Sequence, residues 1–537
     1  MQEIVLRFAL FFGAVLAVRY SARYHRPIRT AFRRLARHKT ACIVSLALFP
    51  IALRLAMLPK LGPPEPFIHD EFSYLLAGDT FAHGRMTNPP HPMWIHFETM
   101  HEQFIPAYAS KYPPGQGLFL AFGQRLSGSP WVGVLLSVAL LSASLTWMLQ
   151  GWLPPAWALL GSIIGVVNLT VSTYWVDSYW GGAVAGLGGC LVMGAYPRLK
   201  KHSTVRDSLL FAIGILLLAN TRPYEGLVVS AAVCIALIVH SVKSKSIAWA
   251  MPAVVLAAAG GALMAAYNYR VTGSPVVMPY MLNDDQYAVA PAFIFMPIRP
   301  MRQYNHEVLR KFWLEFDVDF YKNTMADLTV ATIVKCFVFW QTYIRSWLLT
   351  IPILIAPLLV TSRRGRFPLL VLALFVCAIF IEKGTLSHYT APIAGIFFVV
   401  LTLALHRLYL WRPDGKPIGK QIANVVLVSC AFNFAIHVLH YGEGQFIGPT
   451  PFSQARRRIV AQLNGTPASH LVLVRYRPEH RLHDEWVYND ADIDGSKTVW
   501  AREMNPDADE ELLKYYPQRK VWLLEADLKE PKLTLIR

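Results

Sequence analysis

Pro66-Phe67-Ile68-His69-Asp70-Glu71-Phe72-Ser73-Tyr74-Leu75-Leu76-Ala77-Gly78 follows shortly after an apolar run, residues 40–58. A run of that length crosses about 30 Å of hydrocarbon, so two adjacent carboxylates stand where the chain leaves a bilayer. Desolvation at such a boundary raises a carboxylate pKa, which suits a general base. A helix starting near His69 would carry Asp70 and Glu71 in its first turn, where its dipole favours negative charge. Capping is the plainer use of acids at a helix start, and both readings stand at this point.

Working outward, the composition agrees with a membrane setting. Of 537 residues 54% are hydrophobic and only 16% charged, with 15 Trp, 23 Tyr and 29 Phe and a mean hydropathy of +0.36. Soluble chains carry about 25% charged residues. Disorder, collagen-like repeats and a disulfide-stapled secreted fold are excluded on composition. All six cysteines (Cys42, Cys190, Cys234, Cys336, Cys377, Cys430) lie in apolar stretches, without CxxC or zinc spacing, and read as small buried hydrophobes.

The net charge of +17 does not point to nucleic acid. Basic clusters at 19–39, 198–206, 243–245, 363–366 and 407–420 each sit in a short gap between apolar runs, with little acid near them besides Asp207 and Asp414. That is the pattern of cytoplasmic loops, and the first cluster also suits anionic headgroups among the membrane lipids. The apolar runs are 3–19, 40–58, 131–149, 153–172, 181–197, 207–221, 224–241, 247–267, 334–360, 367–383, 389–410 and 421–440. Threaded with every basic cluster inside, they predict an all-α polytopic membrane protein of about twelve transmembrane helices with both termini extracytoplasmic. The first run is long and followed, not preceded, by arginines, so it reads as an anchor and not as a cleaved signal.

Three parts follow: an N-terminal helix and basic loop at 1–39, a transmembrane catalytic domain at 40–440 with outer loops 59–116 and 268–333, and a charge-balanced tail at 441–537. In the tail, 471–474 and 521–524 read as strands and 508–514 as a short helix. This predicts a small extracytoplasmic α/β domain, accessory or substrate-docking, without a catalytic constellation of its own.

The outer-facing segments carry the polar chemistry. The first loop holds His69, His83, His91, His96 and His101 and ends in Lys111-Tyr112-Pro113-Pro114-Gly115-Gln116-Gly117. Its lysine suits a lipid phosphate, or equally an interfacial anchor. Asp177 lies in the turn 172–180, as a second acid or as a cap for the helix beginning near Gly181. Asn220-Thr221-Arg222-Pro223-Tyr224-Glu225-Gly226 breaks two apolar runs. Arg222 and Glu225 there face an aqueous cavity or each other, and a guanidinium can grip phosphate in bidentate fashion. Lys383-Gly384-Thr385-Leu386-Ser387-His388-Tyr389 occupies the last outer turn.

An Asp-Glu pair after a membrane helix, a long outer loop and then a Lys-Tyr-Pro-Pro element resemble the GT-C glycosyltransferases. The similarity is to the group of protein O-mannosyltransferases, lipid A aminoarabinose transferases and rhizobial lipopolysaccharide glycosyltransferases, over residues 40 to 410. The resemblance implies an inverting transfer from a polyprenyl-phosphate sugar, undecaprenyl type in a bacterial inner membrane, to a glycan, lipid or protein acceptor. It implies Asp70 as the base with Glu71 and Asp177 assisting. Lys111, Tyr112, Arg222, His388 and Tyr389 would lie on the donor phosphate, with His69, Arg85 and Glu225 as further substrate contacts. No cofactor is required by this chemistry; a divalent metal is compatible, with Glu71, Asp177 and the outer-loop histidines as ligands. The chain departs from the group in its additional first span and its tail. The rival reading is a transporter or flippase for a lipid-linked or anionic substrate, against which the polar residues gather at one face and no internal repeat is seen.

Overall fold

The computed structural model describes residues 12–19, 25–442 and 447–537. The expected first span falls partly on 1–11, outside the described residues, as does Arg23 of the first basic cluster; 12–19 are helical. Among the described residues six helices are long and apolar enough to cross a membrane: Lys39–Ala56, Pro130–Trp152, Pro223–Ser244, Ala250–Thr272, Ala391–Leu410 and Ile418–Leu439. Leu328–Tyr343 and Trp347–Thr361 make a seventh crossing if counted together, bent by 108°. The run 334–360 therefore does not form one straight span. Its break falls at Arg345, whose φ is 38° and whose guanidinium donates to the carbonyls of Val171 (2.5 Å) and Ser172 (3.0 Å). A charge inside an apolar run is satisfied by carbonyls left open at a neighbouring helix end.

The runs 153–172, 181–197, 207–221 and 367–383 form Pro155–Thr170, Ala183–Lys201, Val205–Ala219 and Arg366–Phe380. Ala183–Lys201 is buried along most of its length, and small residues let its neighbours approach. A Cβ on Gly189 would lie 2.0 Å from the Pro392 carbonyl oxygen, so this crossing tolerates only glycine.

The loop 59–116 is ordered by two helices, His69–Ala82 and Pro114–Ser127, which pack on each other. Between them β1 (Glu102–Gln103) and β2 (Ala109–Ser110) pair antiparallel, Glu102 opposite Ser110. The segment 268–333 adds the helices Pro279–Gln286, which packs against β1, and Asp317–Ala326.

The tail forms the expected strands and helix: β3 (His470–Arg475), β4 (Thr498–Arg502), β5 (Lys520–Glu525) and β6 (Lys532–Leu535), with helices Pro451–Asn464 and Pro506–Tyr515. Strand order is β4-β3-β5-β6; β3 runs parallel to β4 and β5, and β6 antiparallel to β5. One face of the sheet buries a core of tail residues that Phe72 joins, and the other face shares its core with the first loop. Leu471, Leu473, Val499 and Val521 join Leu76, Phe97, Phe104 and Tyr108 of the first loop in one cluster. Phe72 stacks on Tyr488 at 4.2 Å in a second cluster with Phe452 and Trp486. The sheet is packed directly against the segment that carries Asp70.

Candidate functional site

Asp70 sits in the first turn of His69–Ala82, but it does not cap the helix: the N-cap is Ile68 and no side chain fills that role. Its carboxylate is used elsewhere. Oδ1 accepts the hydroxyl proton of Tyr112. Oδ2 lies 2.9 Å from His69 Nδ1, off the line of a straight hydrogen bond, and 3.9 Å from His101 Nε2. Burial disfavours the charge, yet His101, His69 and the Lys111 ammonium outweigh it and hold the carboxyl well below the usual carboxylate range. Burial, with Asp70 beside it, pushes the Tyr112 hydroxyl well above its ordinary value, so it remains a donor. His101 takes a φ of 66°, its carbonyl accepting from Ser73 Oγ (2.5 Å) and the Lys111 amide (3.1 Å). A left-handed non-glycine residue held this way is local strain of the kind found at working sites.

Glu71 is fully buried and points elsewhere. Its Oε2 accepts the Tyr179 amide at 2.9 Å and its Oε1 the Phe67 amide at 3.2 Å. It clamps the start of the loop to the turn that carries Asp177. Burial, opposed by those amides, raises it to about 7.

The Lys-Tyr-Pro-Pro element is brought to the Arg222 break by one close contact. The Gly115 amide donates to the Asn220 carbonyl at 2.7 Å, and a Cβ on Gly115 would sit 2.5 Å from that oxygen. Arg222, Thr221, His388, Tyr74, Gln116 and Trp180 consequently line one cavity. The Arg222 guanidinium lies 4.0 Å above the Tyr389 ring and 3.6 Å from Glu225, and among the described residues it donates no hydrogen bond. Tyr74 stacks on Tyr112 at 4.3 Å, which joins this cavity to Asp70.

His388 corrects an expectation. A histidine on a phosphate is expected to serve as a cation, as Lys111 and Arg222 do, but burial and then the Arg222 charge push its imidazole well below its ordinary value, so at neutral pH it is uncharged. Nδ1 lies 2.9 Å from the Tyr174 hydroxyl, leaving Nε2 for a ligand. Lys111 does not line that cavity. Its ammonium is 5.5 Å from the Trp313 ring, with no acid within 4 Å among the described residues, and Asp284, Asp70 and Asp317 oppose the downward pull of burial.

Two predicted residues are placed apart. Asp177 pairs with Arg54, both buried, instead of capping a helix or meeting Asp70, and lines a separate cavity with Glu65 and Arg457. Arg85 follows the far end of His69–Ala82, about 20 Å along the helix from Asp70 at 1.5 Å per residue. Tyr74, Trp180, Gln116, Arg54 and Asp284 carry no site role in the sequence reading, although Tyr74 and Gln116 lie inside its quoted stretches. Only Arg54, a charge inside an apolar run, leaves a local signal.

His69, Asp70 and His101 each present one ligand atom within 4.8 Å of the others. Nδ1 of His69, which faces Asp70, is buried without a full hydrogen bond, and two imidazole nitrogens with one carboxylate oxygen fit a divalent ion such as zinc. Glu71 and Asp177, the acids expected to ligate it, are engaged elsewhere.

No protein-family model and no curated protein matches the chain. Solved structures do. The chain is similar to the Archaeoglobus fulgidus oligosaccharyltransferase tethered with an acceptor peptide containing the NVT sequon: TM-score 0.49, 10% identity, 91% of this chain and 69% of that one covered. It is similar to ArnT from Cupriavidus metallidurans bound to undecaprenyl phosphate, with TM-score 0.47, 10% identity, and 92% and 98% covered. A third is archaeal AglB from Archaeoglobus fulgidus in complex with an inhibitory peptide and a dolichol-phosphate, with TM-score 0.46, 10% identity, and 90% and 69% covered.

Proposed function

We propose that the chain is a membrane glycosyltransferase, moving a sugar from a polyprenyl-phosphate donor to an acceptor hydroxyl at the outer face. One observation carries this. An ionised carboxylate, Asp70, stands beside a cavity lined by a guanidinium, Arg222, that is paired with Glu225 at 3.6 Å but donates no hydrogen bond among the described residues. A base beside an open anion site is what displacement of a phosphate leaving group needs.

In this reaction the acceptor oxygen bonds to the anomeric carbon while its proton passes to Asp70. The bond from that carbon to the donor phosphate breaks, its electron pair leaving with the lipid phosphate. A single displacement inverts the centre. Arg222 receives the growing phosphate charge in bidentate fashion, and His388 adds a neutral N–H. Tyr389 holds the guanidinium from below, and Glu225 steers it. Tyr112 keeps Asp70 aimed and ionised. Glu71 joins two backbone segments and Asp177 neutralises Arg54; both act on the frame. A divalent ion on His69, Asp70 and His101 would supply Lewis acidity beside the acceptor oxygen.

The tail and outer loops stand on the extracytoplasmic side of a bacterial inner membrane, with the basic clusters inside. The test is Asp70→Asn in the full chain, with radiolabelled undecaprenyl-phosphate sugars as donors and an envelope extract as acceptor. Transfer is expected to vanish with the melting temperature kept. Undiminished transfer would remove Asp70 from the role, and vectorial movement of the intact donor without transfer would favour the transporter.

A further inference from the structure

The Asp70 centre is not closed by the membrane part of the chain alone. His483, between β3 and β4 in the tail, brings its Nδ1 to 3.0 Å from Nε2 of His69, 414 positions earlier. The two rings are 5.1 Å apart and tilted by 37°. His483 is itself seated: Phe316 meets it edge-on at 5.1 Å, and its neighbour Leu482 packs on the cluster of Met100, Phe312 and Trp313. First loop, second loop and tail therefore meet around one imidazole.

That contact has a consequence for Asp70. A histidine ring turns about a soft, roughly two-fold torsion, and half a turn would exchange Nδ1 for a carbon. Which nitrogen carries the proton is set by the bond that the other one makes. With Nε2 held by His483, His69 faces Asp70 Oδ2 with Nδ1, at 2.9 Å. Without His483 nothing among the described residues bonds Nε2 of His69.

We infer that His483 is a positioning residue of the centre: through Nδ1 it fixes the ring and the tautomer of His69, and so the polar contact on Asp70. This rests on Asp70 being the base. It makes the tail a working part of the site, not an appended module.

Two substitutions in the full chain test it. His483→Phe keeps the ring against Phe316 but removes the hydrogen bond; His483→Gln keeps a hydrogen-bonding group. With undecaprenyl-phosphate sugars as donors, His483→Phe is expected to lower turnover about 10- to 100-fold, the range of a small misplacement at a reacting centre. Donor KM and melting temperature should be unchanged, and His483→Gln should recover most of the rate. In 15N-histidine spectra, with His69 assigned by its loss in His69→Gln, the phenylalanine variant should show His69 passing from one tautomer to a mixture. Where that variant does not fold, His483→Ala takes its place. A wild-type rate in His483→Phe beside an inactive Asp70→Asn overturns the inference, as does an unchanged His69 tautomer. An active Asp70→Asn overturns the role of Asp70 instead, and the spectra still judge the His69–His483 link.

Discussion

The Gly115 amide and the Asn220 carbonyl, 105 positions apart, meet at 2.7 Å, and this single bond sets the Lys-Tyr-Pro-Pro element against the Arg222 break. No side chain mediates it. The space is closed to anything larger than hydrogen, since a Cβ on Gly115 would also lie 2.5 Å from Thr221 Cγ2. Both segments are stiff, each carrying proline at the start of a helix, so the cavity between them has little room to adjust.

Gly115→Ala should therefore widen the cavity and disturb the donor site out of proportion to its size. Overpacking of this kind costs about 1–3 kcal/mol. The expected result is a lowered melting temperature with a raised donor KM, read in one preparation by calorimetry and by transfer kinetics. Normal kinetics in a destabilised protein would separate this contact from the donor site.

Arg222, ion-paired with Glu225 but free of hydrogen bonds among the described residues, makes a sharper case. A hydrogen bond to a charged group is worth about 1.5–3 kcal/mol, so Arg222→Gln should weaken donor binding by about 10- to 150-fold. Arg222→Lys should recover little, because an ammonium lacks the planar fork that binds phosphate and stacks on Tyr389. Binding of undecaprenyl phosphate alone, without sugar, measures this apart from turnover.

These residues show what the chain makes legible and what it hides. Six of the twelve expected spans are long apolar helices among the described residues, a seventh is bent by 108°, and four other runs form shorter or more polar helices; the bend was not legible, since the carbonyls that meet Arg345 at the break belong to a distant segment. Asp70 and Glu71 look equivalent as neighbours. A helix turns them about 100° apart, and only contacts show that one faces Tyr112 and the other two backbone amides. Arg222 was legible because a charge cannot rest in lipid; the neutrality of His388 was not, because it depends on what buries it. His483 has no spacing to read at all.

Tyr112→Phe should move the pH dependence of transfer. The hydroxyl bonds the ionised form of Asp70, and a bond to the charged form lowers a pKa. Removing it raises the pKa of Asp70, so the acid limb of kcat/KM shifts to higher pH, while the plateau at neutral pH falls less than in Asp70→Asn. An unmoved acid limb would assign that limb to another group.

Glu71 predicts an effect on stability with the opposite sign from an ordinary carboxylate. Its folded pKa is raised from 4.5 to about 7, so between those values the native state binds more protons than the unfolded chain. Stability then falls as pH rises through that window and levels off above it, by about 3 kcal/mol at most at 1.36 kcal/mol per unit. Melting temperatures from pH 5 to 8 should show the decline in the wild type and its loss in Glu71→Gln.

Arg54 and Asp177 separate structural from catalytic acids. Both are buried, the guanidinium lies 4.7 Å from the Trp131 ring, and its other arm bonds the Gly62 carbonyl at 2.8 Å. Asp177→Asn leaves a cation without its counter-charge, which costs about 3–5 kcal/mol. Its expected signature is loss of folded protein, with whatever transfer survives proportional to the folded fraction. Asp70→Asn should do the reverse, folding normally and turning over nothing. A double replacement, Arg54→Met with Asp177→Leu, removes both charges and should restore folding, since apolar residues of similar volume often substitute for a buried pair without loss. If that double variant folded but transferred no sugar, Asp177 would regain a place beside Asp70 in the chemistry.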